Sequence, residues 1–324
     1  MHKWVYSFGP ALSEGRADMK DLLGGKGANL AEMASLGLPV PAGFTITTEV
    51  CSYTIQHDGA YPPELLLSAM QALARIEAQL GTEFGSEINP LLLAVRSGAR
   101  VSMPGMMDTI LNLGLNDMTV LGLSKTSGDE CFAWDSYRRF IQMYSNVVLN
   151  ISHDLFEDII EDYKHNNQQT EDKDILAAGW KIIVTDFKNL VLQETGKPFP
   201  QDVQEQLWAS IGAVFRSWMT PRAVTYRKIN SIPENWGTAV NIQAMVFGNM
   251  GGDSATGVAF TRDPTTGENY FYGEYLLNAQ GEDVVSGIRT PQPLSCAGRD
   301  KGGRDALSME ELMPAVYAQL DDAR

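Results

Sequence analysis

VRSGARVSMPGMMDTILNLGL, residues 95–115, joins an apolar run to a turn broken by glycine and proline. LLLAV, from Leu91 to Val95, reads as a short buried strand that leads directly into Arg96. Ser97 and Gly98 follow. A small residue and a glycine there let an arginine at a strand's carboxyl end turn its planar fork into a crevice. Arg100 stands four residues on, Pro104 and Gly105 break the chain, and Met106 to Leu113 reads as the start of a helix. Met103, Met106 and Met107 at such a mouth suit a flat apolar ligand such as a purine. The competing reading puts the methionines in the core and pairs Arg100 with an acidic neighbour. For Arg100 that reading is the better one; for Arg96 ligand contact is.

The surrounding chain makes two arginines beside a turn unusual. Its 324 residues carry 40 acidic against 25 basic side chains, a formal charge of -15. That balance opposes non-specific binding to nucleic acid or anionic membrane, so a basic cluster here is local. With 44% hydrophobic and 20% charged residues the chain is ordinary for a globular protein of two or three compact units. Cys51, Cys131 and Cys296 are far apart and odd in number, which argues against a disulfide framework and a CxxC metal site. His2, His57, His153 and His165 show no ligand spacing for zinc. No apolar run reaches the roughly 20 residues of a membrane span. MHKWVYSFGP, residues 1–10, lacks the apolar core of a signal peptide, so a cytoplasmic location is expected.

Three textures follow one another. Up to about residue 115, glycine-rich turns alternate with apolar stretches: Gly43–Val50 reads as a strand and Leu65–Leu80 as a helix. From 116 to 200 the pattern is helical. Phe132, Tyr137, Phe140, Ile141, Tyr144, Val147 and Val148 share a face, and Trp180, Ile183, Phe187, Leu190 and Val191 share another. EDYKHNNQQTEDKD, residues 161–174, reads as an exposed connection between these helices, and a third begins after Pro200. Past Gly237, TAVNIQAMVFG, ATGVAFTRD and NYFYGEYLLNA read as strands, with DPTTGEN as a turn. Helix returns at Ser308 and stops at Arg324 in mid-pattern, which suggests a shortened chain.

Three further runs carry candidate chemistry. In LLGGKGANLAEMASLG, residues 22–37, glycines surround Lys26 just ahead of a helical pattern. A cation at the positive end of a helix dipole costs about 0.3–1 kcal/mol, and an anion bound between them reverses that sign. A tight turn with a solvated lysine is the alternative. FGNMGGDSATG, residues 247–257, is glycine-rich enough for a flap whose amides near Thr256 and Gly257 cover phosphate oxygens; a plain hairpin loop is the simpler reading. Glu274, Glu282 and Asp283 near a strand end fit Mg²⁺ held beside a polyphosphate, or a solvated acidic loop.

In order along the chain, GGKGANLAEM, VRSGARVSMPGMMDTILNLGLND, FAWDSYRRFIQMYS, GTAVNIQAMVFGN, TGVAFTRDPTTGE and GEYLLNAQGEDVVSGIRTPQP closely resemble the N-terminal ATP-binding region of the pyruvate, phosphate dikinase family. The resemblance implies an α+β, ATP-grasp-like nucleotide-binding domain with two α+β lobes and an inserted helical subdomain. On this chain it implies residues 1–115 with 201–246 as the first lobe, 116–200 as the helical insert and 247–324 as the second lobe. It implies ATP and Mg²⁺ as cofactors, with Lys26 and Arg96 as the catalytic cations on the polyphosphate. Gly105 accompanies them, Gln243 and Met245 border adenine, Thr256 and Gly257 form the flap, and Glu282 is an acidic residue of the nucleotide site. The full enzyme turns ATP, phosphate and pyruvate into AMP, diphosphate and phosphoenolpyruvate. Its partners are a mobile phosphohistidine domain and a pyruvate/phosphoenolpyruvate barrel, and it is expected to be a homodimer. The family's acidic-x-acidic Mg²⁺ pair and a further glutamine fall beyond Arg324, so the chain alone is expected to be inactive. Two other readings stand beside this one: a non-catalytic module that binds nucleotide or a partner, and the ATP domain of a phosphoenolpyruvate synthase-like enzyme.

Overall fold

A computed structural model describes residues 2–286, 289–303 and 306–324. The chain is α+β and divides into two compact units, Met1–Met245 and Val246–Arg324.

The first unit is built on a five-stranded antiparallel sheet of β1 (Val5–Phe8), β2 (Gly43–Ile46), β3 (Leu93–Gly98), β4 (Thr109–Leu113) and β5 (Ala239–Ala244), in the order β1-β2-β5-β3-β4. β5 arrives from late in the chain and lies at the centre. Every residue of β2 and β5 is buried, and one pleat face carries Phe44, Ile46, Val95, Val240 and Ile242, all at 0% exposure. α1 (Lys20–Ser35), α2 (Thr48–Gln56) and α3 (Leu65–Leu80) pack against this sheet. α3 has the limits its apolar spacing predicts and ends on Gly81 in the left-handed region.

Residues 119–229 supply α4 (Thr119–Ser127), α5 (Glu130–Val147), α6 (His153–Asn166), α7 (Ala177–Thr195), α8 (Val203–Ser217) and α9 (Pro221–Ile229). Asp129 caps α5 by accepting from the Phe132 N–H at 2.9 Å, and Asp202 caps α8 through Gln204 and Glu205. α5 packs on β4 and α7. Its apolar stripe closes on Phe199, whose ring meets Tyr137, Phe140 and Tyr144 edge-on at 6.4, 5.7 and 5.4 Å between centroids.

The second unit contains β6 (Ala255–Phe260), β7 (Tyr272–Leu277), α10 (Gly281–Ser286), β8 (Gln292–Pro293), α11 (Cys296–Gly302), α12 (Met309–Leu312) and α13 (Pro314–Asp322). The three strands form an antiparallel sheet in sequence order. Phe271, Tyr275, Leu294 and Met309 make its core, with Tyr317 of α13 against them. Among the described residues no helix is long and apolar enough to cross a membrane.

Four readings of the sequence need correction. The segment Met106–Leu113 is a bend followed by β4, not a helix. Ile110 and Leu113 mimic helical spacing, but the β-branched Thr109-Ile110 pair suits an edge strand, and Asn112, at φ 57°, lies where the β3–β4 register shifts. β3 runs on through Gly98, so Arg96 sits within the strand rather than after it. The strand read over Gly43–Val50 stops at Ile46; Thr47 turns extended and α2 starts at Thr48, with Glu49 in its first turn. Residues 161–166 belong to α6, which buries Phe156 and Ile160.

Phe199 is 2% exposed and touches three aromatic rings. Phe199→Ala is expected to lower unfolding stability by about 3–5 kcal/mol. Urea titration followed by tryptophan fluorescence measures this; a loss below about 1 kcal/mol would mean that the cluster collapses to fill the space.

Candidate functional site

Two glycine contacts bring Lys26 and Arg96 together. The helical path of α1 breaks at Gly24 (φ 67°, ψ 171°), so Lys26 lies in the first turn of the helix that resumes after it. A methyl group on Gly24 would lie 1.8 Å from the carbonyl oxygen of Gly98, so the two backbones touch where only glycine fits. Next to that contact the Gly25 N–H donates to the Ala99 carbonyl at 2.8 Å. The Gly98 N–H in turn donates to the Thr238 hydroxyl at 3.2 Å. The lysine-bearing turn is thereby clamped onto the end of the arginine-bearing strand.

Charge at this junction is unbalanced. Much of the Lys26 side chain reaches solvent, yet enough protein surrounds the ammonium to lower its pKa, first by desolvation and second by the nearby Arg96 charge. Neither the Lys26 nor the Arg96 side chain makes a hydrogen bond or ion pair with any other of the described residues. Arg100 contrasts with them. It pairs with Asp21 at 3.2 Å and stacks over Trp236 at 5.0 Å. An anion approaching this corner therefore meets two uncommitted cations and one committed one.

Beneath the cations runs a polar row that the sequence reading did not single out. Thr45 on β2, Asn241 on β5, Arg96 on β3 and Thr109 on β4 are register partners and so share one face of the sheet. The Thr45 hydroxyl donates to Asn241 Oδ1 at 2.8 Å. Both side chains are at 1% exposure. The only signal in the sequence was a polar residue, Asn241, in the middle of an apolar strand.

The remaining candidates are distributed over both units. Gln243, 8% exposed, is two residues along β5 from Asn241, and its amide donates to the Pro41 carbonyl at 3.1 Å. The Met245 N–H donates to the Leu92 carbonyl at 2.9 Å, which puts Met245 just past the end of β5 and beside the start of β3. Gly105 is exposed, at φ 70°, in the bend between β3 and β4. In the second unit the Thr256 hydroxyl donates to the Ala279 carbonyl at 2.7 Å, and Gly257 pairs with Tyr275. A methyl group on Gly257 would come within 2.6 Å of the Glu274 carbonyl, so neighbouring backbone already explains that glycine. Glu282 falls within α10, but its side chain lies outside the described residues. Asp283 accepts from the Gln280 N–H at 2.8 Å. Among the described residues no group of three or more His, Cys, Asp or Glu side chains is arranged to hold a metal ion. Mg²⁺ bound chiefly by phosphate oxygens, one or two carboxylates and water would need no such cage.

Comparison with known proteins agrees in one direction. The family described as "Pyruvate phosphate dikinase, AMP/ATP-binding domain" matches residues 20–68 and 61–323. The chain is 54% identical over 321 residues to a pyruvate, phosphate dikinase of Rhizobium meliloti, covering 99% of this chain and 36% of the relative. It is 50% identical to that of Clostridium symbiosum (99% of this chain, 35% of the relative) and 51% identical to pyruvate, phosphate dikinase 2 of Zea mays (98% and 34%). The chain thus spans about a third of the length of the curated relatives it matches.

An unpaired cation at a helix start carries a sign that can be checked. Because the Lys26 pKa is lowered on folding, its protonated form is disfavoured in the folded chain. That penalty is present at neutral pH and is relieved as pH rises through the folded value toward the ordinary lysine range. Lys26→Met is therefore expected to stabilise the nucleotide-free chain at pH 7 by about 0.3–1 kcal/mol, read by urea unfolding. Destabilisation instead would show that the ammonium has a partner. Gly24→Ala should cost about 2–4 kcal/mol in the same assay, and a neutral result would rule out the close backbone contact.

Proposed function

Since the chain belongs to the pyruvate phosphate dikinase AMP/ATP-binding domain family, we propose that it binds ATP with Lys26 and Arg96 on the polyphosphate. The observation that carries this reading is the pair of unpartnered cations held at one junction. Phosphoryl transfer asks a protein chiefly for positioning and charge neutralisation. When bound, the nucleotide supplies the phosphoryl group and Mg²⁺ accompanies it on the phosphate oxygens.

Each residue has a definite part. The Lys26 ammonium acts as a compact point charge at the helix start, and its lowered pKa returns toward the ordinary range as an anion approaches. The Arg96 guanidinium offers a rigid fork suited to two phosphate oxygens. Gln243 and Met245, at the far end of β5, border the adenine, with the methionine as an adaptable apolar wall. Gly105 leaves the bend after β3 unencumbered. Thr256 and Gly257 form the flap and Glu282 the acidic residue of the second lobe. The same proposal divides the chain into an ATP-grasp lobe from 1–115 with 201–246, a helical insert from 116–200 and a second lobe from 247–324.

As part of a longer enzyme, the domain is proposed to donate a phosphoryl group to a histidine on a separate domain. That domain would serve a pyruvate/phosphoenolpyruvate barrel, within a homodimer that uses ATP and phosphate and forms AMP and diphosphate. The named activity of the relatives supports this reading.

Calorimetry of the chain with ATP and Mg²⁺ tests the core of it. Arg96→Ala is expected to weaken binding by about ten- to a hundredfold, as for loss of a charge-assisted contact, while Arg100→Ala changes it by less than about threefold. Equal losses, or none from Arg96→Ala, would contradict the assignment; no binding by the unaltered chain would remove it.

A further inference from the structure

Asn241 is a poor choice for the middle of a sheet if packing is all that it does. Its carboxamide is buried, and although Oδ1 accepts from Thr45, Nδ2 has no hydrogen-bond partner. A buried donor left unspent costs stability that a branched apolar side chain would not. The surroundings show what the shape achieves. A methyl group on Gly27 would come within 2.8 Å of Asn241 Oδ1 and 2.7 Å of the Thr45 hydroxyl. A methyl group on Gly98 would come within 2.7 Å of Asn241 Nδ2. One end of the carboxamide therefore abuts the residue after Lys26, and the other abuts the strand two residues past Arg96.

From this we infer that Asn241 is a positioning residue, whose carboxamide, anchored by Thr45, is the wedge that sets Lys26 and Arg96 at the spacing the polyphosphate requires. The assignment rests on the nucleotide-binding reading above, but the wedge has its own signature. The two cations repel each other, and the carboxamide plane between Gly27 and Gly98 leaves neither segment room to slide. Its neutrality matters as well. A carboxylate of the same shape would offer both cations a permanent partner and compete with the ligand.

The experiment follows Lys26 directly. In the nucleotide-free chain, NMR of labelled lysine side chains titrates the Lys26 ammonium, and calorimetry with ATP and Mg²⁺ reads affinity separately. Asn241→Ala is expected to let the cations separate, so that Lys26 titrates nearer the ordinary lysine range and ATP binds at least about tenfold more weakly. The double variant Asn241→Leu/Thr45→Val keeps the branched shape and removes both polar partners together. It is expected to recover most of both losses. An Asn241→Ala chain with unchanged Lys26 titration and unchanged affinity would overturn the inference, as would a double variant no better than the single one. Should Asn241→Ala fail to fold by circular dichroism, Thr45→Val decides. It frees the carboxamide to turn and is expected to move the Lys26 titration in the same direction; an unaltered titration would overturn the wedge. Failure of the unaltered chain to bind ATP would sink the functional reading alone, and the Lys26 titration would still judge Asn241.

Discussion

Everything at the candidate site depends on a contact between two backbones. Gly24 and Gly98 meet so closely that no side chain fits at Gly24, and the contact is locked by the Gly25 N–H on the Ala99 carbonyl. Without it, the turn bearing Lys26 and the strand bearing Arg96 would drift apart, because like charges repel and nothing between them attracts both. The sheet holds the cations in place against that repulsion. Its centre is β5, a strand that enters more than a hundred residues after β3 and β4, so the junction forms only once the long helical excursion has returned. Site and fold are thus completed by the same event.

The charge of the whole chain sharpens the point. At -15 the molecule repels anions at long range, so the proposed affinity for a polyphosphate has to come from short-range, desolvated contacts. Local positive potential is raised more effectively by withholding carboxylates than by adding further basic residues. Arg100 is already tied to Asp21 and to the Trp236 ring, whereas Lys26 and Arg96 stand on a row of neutral polar groups, Thr45, Asn241 and Thr109. That row adds polar groups beside the cations without neutralising them.

How far the sequence could be read follows from the range over which each signal acts. α3, α5, α7 and α8 were legible because their apolar spacing is local and their caps are adjacent: Asp129, Asp202, Gly81 and Gly196. The strand that carries Gln243 and the pair β6 and β7 announced themselves by β-branched and aromatic residues. Lys26 was legible as a candidate because glycines flank it, and Arg96 because a buried apolar run leads into it and Ser97 and Gly98 follow. The bend and strand after Pro104 were misread because Ile110 and Leu113 repeat at an interval that a helix shares. The first turns of α2 were hidden in a run of threonines that suits strands equally well. Asn241 was invisible for a deeper reason. Its meaning lies in register, opposite Thr45 and Arg96 across residue separations of 196 and 145, and no local pattern encodes such a partnership. Burial could not be inferred for the two glycines it separates either, since their constraint is the space available in three dimensions.

A comparison inside the molecule supports the proposed ligand-binding role of the unpaired Lys26. Lys164 is the same residue type, also carried on a helix, and is the more buried of the two. Desolvation is the largest influence on it, lowering its pKa, yet the Glu161 and Asp172 carboxylates, at 2.6 and 3.0 Å, together outweigh that and raise it. Lys26 is moved the other way, because desolvation is joined by Arg96 and opposed by no carboxylate. A chain with 40 acidic residues has no shortage of partners to offer. It supplies two to Lys164, a lysine of the helical segment, and none within ion-pair distance, among the described residues, to the lysine at the glycine junction. On the proposed reading the missing negative charge comes from outside the chain, in the form that a helix start, a point charge and a planar fork accept together.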